Sequence, residues 1–135
     1  MTIAATETSS LIAFTMPGTP YSVQMARFYV RATLTFHDLG DYADDAETVT
    51  SELVSNAITH ASAPRFGVEI MRLEGCGAVA VIVTDPSPQP PVKRYPDEHI
   101  THGRGLIVVD ALSARWGWRP EAPGKAVYAI LARVA

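Results

Sequence analysis

Apolar and polar residues alternate along this chain with a period that changes several times, and each change marks an element. Leu11-Ile12-Ala13-Phe14 reads as a first strand, stopped by Pro17-Gly18. Pro20 stands where a helix can begin, and Val23, Ala26, Phe28, Val30, Ala32 and Leu34 fill a helix-compatible stretch that Leu39-Gly40 ends. A second helix is predicted from about Asp44 to His60. Its apolar residues Ala46, Val49, Leu53, Val54, Ala57 and Ile58 keep spacings of three and four, the mark of one buried face. Asp44, Asp45 and Glu47 in its first turn suit the positive end of the helix dipole, and Ala63-Pro64 closes it.

The period then falls to two. Phe66, Val68 and Ile70 alternate with polar or small neighbours as a strand does, and Glu74-Gly75-Cys76-Gly77 reads as a hairpin turn. Ala78 to Val83 is too continuously apolar for a half-exposed strand and is predicted to lie centrally in a sheet. Pro86, Pro88, Pro90, Pro91 and Pro96 fall within eleven residues, which neither a helix nor a central strand tolerates, so this stretch is a loop. Helical spacing returns after Gly103-Arg104-Gly105 through Leu106, Val109, Ala111 and Leu112. Trp116 and Trp118 suggest a short strand, and Val127 to Val134 a last one. The sum is an α/β chain of the α+β two-layer sandwich kind: three helices on one face of a mixed sheet of about four or five strands. A flexible segment over residues 1–9 precedes one domain over 10–135.

Composition narrows the function classes. Hydrophobic residues at 47% and charged residues at 19% fit a globular domain rather than a disordered chain. Eleven basic against 14 acidic residues give a net charge of -3, and the basic ones are scattered, which argues against a direct nucleic-acid surface. The single cysteine, Cys76, excludes an intramolecular disulfide and a cysteine-rich metal site. With no His or Asp pattern beside it, it reads as an inert thiol. The first ten residues lack a basic region followed by an apolar run, and Ala78–Val83 is too short to span a bilayer. The expectation is a cytoplasmic protein with no membrane attachment.

Three segments carry chemistry. In Glu52-Leu-Val-Ser-Asn56-Ala-Ile-Thr-His60, Glu52 and Asn56 are four apart and project from adjacent turns of one helix. Together they suit a hydrated cation and a hydroxyl; the alternative, which spacing alone favours, is a solvated helix flank. Asp85 directly follows the central strand, where a carboxylate can accept from an exocyclic amine such as adenine N6 and repel guanine O6. The alternative is a loop aspartate capping its own turn. His102-Gly103-Arg104-Gly105-Leu106 opens a helix with two glycines, which let backbone N–H groups approach phosphate, or simply make a loop-to-helix turn. His99 and His102 have a metal-pair spacing but no evident third ligand.

The order of these segments resembles that of the GHKL (histidine-kinase-like) ATPases. Glu52 to His60 resembles their N box, Val83-Thr84-Asp85 the start of their G1 box, and Gly103-Arg104-Gly105-Leu106 their G2 box. Val109-Asp110-Ala111-Leu112, Arg115-Trp116-Gly117 and Gly124-Lys125-Ala126-Val127 resemble the anti-sigma-factor serine kinase (RsbW-type) branch and its small stand-alone ATP-binding members. The resemblance covers about residues 10–133 and implies a Bergerat-type ATP-binding fold. It implies ATP and Mg²⁺ as cofactors, with Asn56 holding the Mg²⁺ and Glu52 acting as general base toward a protein serine or threonine. Asp85 would read adenine, and Gly103 and Gly105 would let the lid close over phosphates. Arg104 and Lys125 would contact phosphate, Leu106 would belong to the ATP site, and His60 would touch ligand or hold the helix end. Residues Val92 to His102 would form the lid. The implied partners are a sigma factor, a STAS-type anti-anti-sigma protein, or both, with a homodimer as the assembly.

One departure stands out within the G1 segment. The broader superfamily places glycines soon after the aspartate, whereas here the run is Asp85-Pro86-Ser87-Pro88, which offers few backbone donors. It motivates an alternative function, an ATP-dependent protein-binding switch without catalysis. A sensor histidine kinase would need a phosphoacceptor helix pair, for which the stretch before Pro20 has no room, and His37 reads as a surface or capping residue. A scaffold domain with no ligand is the remaining reading.

Overall fold

A computed structural model describes residues 8–75, 77–91 and 105–132. Gly103, Arg104, Cys76, His99, His102 and the lid expected over Val92–His102 lie outside the described residues. In chain order the elements are β1 (Thr8–Pro17), α1 (Pro20–Phe36), α2 (Ala43–Thr59), β2 (Arg65–Leu73), β3 (Ala78–Asp85), α3 (Gly105–Leu112), β4 (Arg115–Glu121) and β5 (Gly124–Leu131). A single 3₁₀ turn, Gly40–Tyr42, joins α1 to α2.

The first helix starts at Pro20, whose missing N–H costs nothing in the first turn. It stops at Phe36, ahead of the Leu39-Gly40 signal. Asp38 takes the left-handed conformation at φ 59°. Its N–H donates to the Thr35 carbonyl, and that of Leu39 to the Leu34 carbonyl at 2.7 Å, so two otherwise orphaned carbonyls are satisfied. Leu39 then tucks against the core as the apolar lock of this cap. Beyond the turn, the Arg31 guanidinium of α1 pairs with Asp44 and with Glu47 of α2, the latter at 2.6 Å. The acidic first turn of α2 therefore serves a neighbouring helix as well as its own dipole.

The sheet has five strands in the order β1-β2-β3-β5-β4, and all four pairings are antiparallel. It is not mixed, because every return is made by a tight turn or by a segment that reverses direction. β2 and β3 form a hairpin, and β4 folds straight back onto β5. β3 is central, as its unbroken apolar run requires. Val79, Val81 and Val83 face the helices, while Ala80 and Ile82 pack on the other face with Ala126, Met71, Tyr128 and Ile130. β4 accommodates Pro120 because it is an edge strand, where a missing ladder donor is tolerated.

The helix-facing core joins Ala26, Val30 and Leu34 of α1 to Ala46, Val49, Leu53, Val54 and Ala57 of α2. These meet Phe66, Val68 and Ile70 of β2, Val127, Ala129 and Leu131 of β5, and Leu106 and Val109 of α3. Two strand limits differ from the sequence pattern. β1 begins at Thr8, since its polar residues still pair in register with Leu73 and Arg72. β5 begins at Gly124, ahead of the predicted Val127 start, because Lys125 is a buried member of the strand.

Thr50 of α2 is fully buried, and among the described residues its hydroxyl has no hydrogen-bond partner. Thr50→Val keeps the shape and removes this cost, so it is expected to stabilise the chain by roughly 1–2 kcal/mol. The check is a higher urea midpoint at an unchanged m-value.

Candidate functional site

Antiparallel register places the end of β3 beside the start of β5, with Asp85 directly opposite Lys125. The backbones come close here because the intervening position is glycine. A Cβ on Gly124 would overlap the Asp85 carbonyl oxygen and the Pro86 backbone. The side chains use that proximity. Lys125 Nζ donates to Asp85 Oδ1 at 3.1 Å and to the Ser87 carbonyl at 3.3 Å. This ion pair is enclosed, with side-chain exposures of only 6% for Lys125 and 3% for Asp85. A charge so far from water is tolerated only when it is paired and hydrogen-bonded, and both conditions are met.

The proline-rich segment that follows is organised around Ser87. Its N–H donates to Asp85 Oδ1 at 2.8 Å, its Oγ accepts from the Gln89 N–H at 3.3 Å, and its carbonyl holds Lys125. Between Pro86 and Pro91 only Ser87 and Gln89 carry an N–H, and both are used within the loop. Ser87 thus replaces the glycine of the related pattern with a residue that ties the loop backbone to one carboxylate and one ammonium.

Above this pair lies a cavity of about 250 Å³. Leu53, Ala57, Val83, Leu106 and Val127 give it apolar walls, and Asn56, His60, Asp85, Ser87, Gln89 and Lys125 contribute polar groups. Apolar walls with a few convergent polar groups suit a flat heteroaromatic ring. Asn56 and His60 arrive from α2, where His60 is the C-terminal cap and its N–H donates to the Asn56 carbonyl at 2.8 Å. Asn56 and Asp85, 29 positions apart in the sequence, therefore line one cavity (85 − 56 = 29). Leu106 enters from the start of α3, which Gly105 opens.

Glu52 sits one turn before Asn56 on α2, beside the cavity rather than in its described wall. Partial burial pushes its carboxyl above the ordinary value of 4.5. Lys125 is held on Asp85 rather than left open toward a phosphate, because the buried carboxylate needs its charge. Periodicity cannot find this pair, since it depends on strand register across 40 residues. The local signal is Gly124 before a lysine at the edge of an apolar run. Among the described residues, no group of three or more His, Cys, Asp or Glu side chains gathers to hold a metal.

The profile of the histidine kinase-like ATPase domain matches residues 16–131. The chain belongs to the histidine kinase-like ATPase family. A solved structure of the RsbU and RsbW domains of Rv1364c from Mycobacterium tuberculosis has the same fold, with a TM-score of 0.63 at 21% identity. The match covers 92% of this chain and 34% of that one, so the chain spans about a third of its neighbour's length. No curated protein matches the chain closely. Among the described residues, no helix is long and apolar enough to cross a membrane.

Lys125→Met would leave the Asp85 charge buried and unpaired, and is expected to cost about 3–5 kcal/mol. The Asp85→Asn, Lys125→Met double variant should regain most of that loss. A double-mutant cycle in chemical denaturation reads the coupling directly.

Proposed function

We propose that the chain is an ATP-binding regulatory protein of the serine/threonine kinase type, which phosphorylates a STAS-type antagonist and otherwise sequesters a sigma factor. The observation that carries this reading is the single cavity lined by Asn56 and His60 from α2 and Asp85 from β3. Its apolar walls fit a purine ring, and a carboxylate at its base fits an exocyclic amine. The donor set also fits Mg²⁺ in the form that this ion prefers, with one protein oxygen from Asn56 and the remainder from phosphates and water. When bound, Mg²⁺ would neutralise charge on the phosphates.

Glu52 is the general base in this reading. Its carboxylate accepts the proton of a partner's serine or threonine hydroxyl as that oxygen attacks the terminal phosphorus and ADP leaves. Gly103, Arg104 and Gly105 are proposed as the phosphate-side contacts. Tyr21, Phe28 and Phe36 lie exposed along α1, and this apolar surface supports a protein partner. The homodimer rests on the sequence resemblance, and a cytoplasmic location is proposed beside it. The proline-rich loop supports a second reading, a nucleotide-dependent binding switch, because both of its N–H groups are already committed.

Titration with ATP should saturate with Mg²⁺ enhancement, and Asn56→Ala should remove that enhancement. Glu52→Gln should retain binding but slow phosphoryl transfer by roughly 10²–10⁴-fold. A Glu52 value raised in the folded chain leaves the base protonated and idle at low pH. The acid limb of the rate profile should therefore lie above 4.5 and disappear in Glu52→Gln. The same shift means that Glu52 favours folding most below 4.5 and loses that contribution as pH rises through its folded value. ATP binding without transfer to any STAS-type protein would select the switch instead.

A further inference from the structure

The Asp85–Lys125 pair leaves two hydrogen-bonding capacities unspent. An ammonium carries three N–H donors, and Lys125 places two of them, on Asp85 Oδ1 and on the Ser87 carbonyl. Asp85 in turn receives both of its bonds, from Ser87 N–H and from Lys125, on Oδ1. Among the described residues, Oδ2 therefore accepts nothing, and one Lys125 N–H donates to nothing. Both residues line the cavity. An unspent donor on an ammonium with 6% side-chain exposure is costly unless something entering the cavity accepts it.

We propose that Lys125 is a specificity-determining residue that reads the purine ring nitrogen N1, beside the amine read by Asp85. This rests on the ATP-site assignment above and extends it to a second base-reading group. An acceptor and a donor held side by side match the edge of adenine, where the 6-amino donor adjoins the N1 acceptor. In the same pose guanine presents its O6 acceptor to the carboxylate and its N1–H donor to the ammonium, so like faces like at both positions. Asp85 alone opposes guanine at one atom; the pair opposes it at two. Because Lys125 is anchored to both Asp85 and Ser87, its direction is set before any ligand arrives. A site whose polar groups go unmatched discriminates far more strongly than one that merely loses apolar contact.

The test compares ATP with 1-deaza-ATP, in which N1 is replaced by C–H, on the full chain by calorimetry. Wild type should bind 1-deaza-ATP at least about 10-fold more weakly than ATP, the scale of a lost charge-assisted hydrogen bond. Lys125→Met should bind the two within about twofold of each other, since the discriminating donor is gone. A measurement on wild type alone covers the case in which that variant fails to fold. The chain has two lysines, Lys93 and Lys125, so ¹⁵N-labelled lysine gives two side-chain signals. ATP should shift the Lys125 Nζ signal and 1-deaza-ATP should shift it markedly less. If ATP saturates the site but both nucleotides bind alike and move that signal alike, Lys125 does not read N1 and the ATP-site assignment stands. If ATP does not saturate at millimolar concentration, the ATP site and this inference fall together.

Discussion

Pairing between β3 and β5 is the constraint on which the rest of this molecule depends. These two strands carry the apolar rows that the helices cover, and their register sets Asp85 against Lys125 in the wall of the cavity. A slip of one residue would turn the core side chains of the slipped strand outward and separate the two charges. The ion pair in turn makes that register costly to lose, because a slipped strand would bury two uncompensated charges. Core packing and site geometry are therefore enforced by the same set of strand contacts.

Much of this is legible in the amino-acid pattern alone. The 3–4 spacing of α2 marks its buried face, and the unbroken run Ala78–Val83 marks a central strand, because a strand covered on both faces has no use for polar residues. Asn56, His60 and Asp85, from two of the motif segments, line one cavity. What local pattern does not supply is pairing. The sheet is antiparallel throughout, and periodicity carries no information on strand direction. Lys125 stands just ahead of the predicted last strand, and its burial is not legible locally because its partner lies 40 positions away. Ser87 reads as a defect in a glycine pattern, whereas its N–H, hydroxyl and carbonyl each hold a different part of the loop.

The site also divides its chemistry between elements of different kinds. Asp85 and Lys125 stand on paired strands in the rigid interior, where little ordering remains to be done when a ligand enters. Asn56 and His60 come from the last turns of a helix, and Glu52 from one turn further back, partly exposed to water. In the proposed reading, base recognition would rest on buried, paired strands, and the transfer chemistry on a surface that a partner protein can reach.

The loop after β3 has a further consequence for how the molecule can be observed. Of the six residues Pro86 to Pro91, four are prolines, so only Ser87 and Gln89 have an amide proton to trade with solvent. One of those protons is held by Asp85 at the end of β3 and the other by the Ser87 hydroxyl. Deuterium-uptake experiments would therefore sample this segment at two sites only, with gaps between them. Carbonyl-carbon signals, or a probe attached at Gln89, would follow what amide exchange passes over.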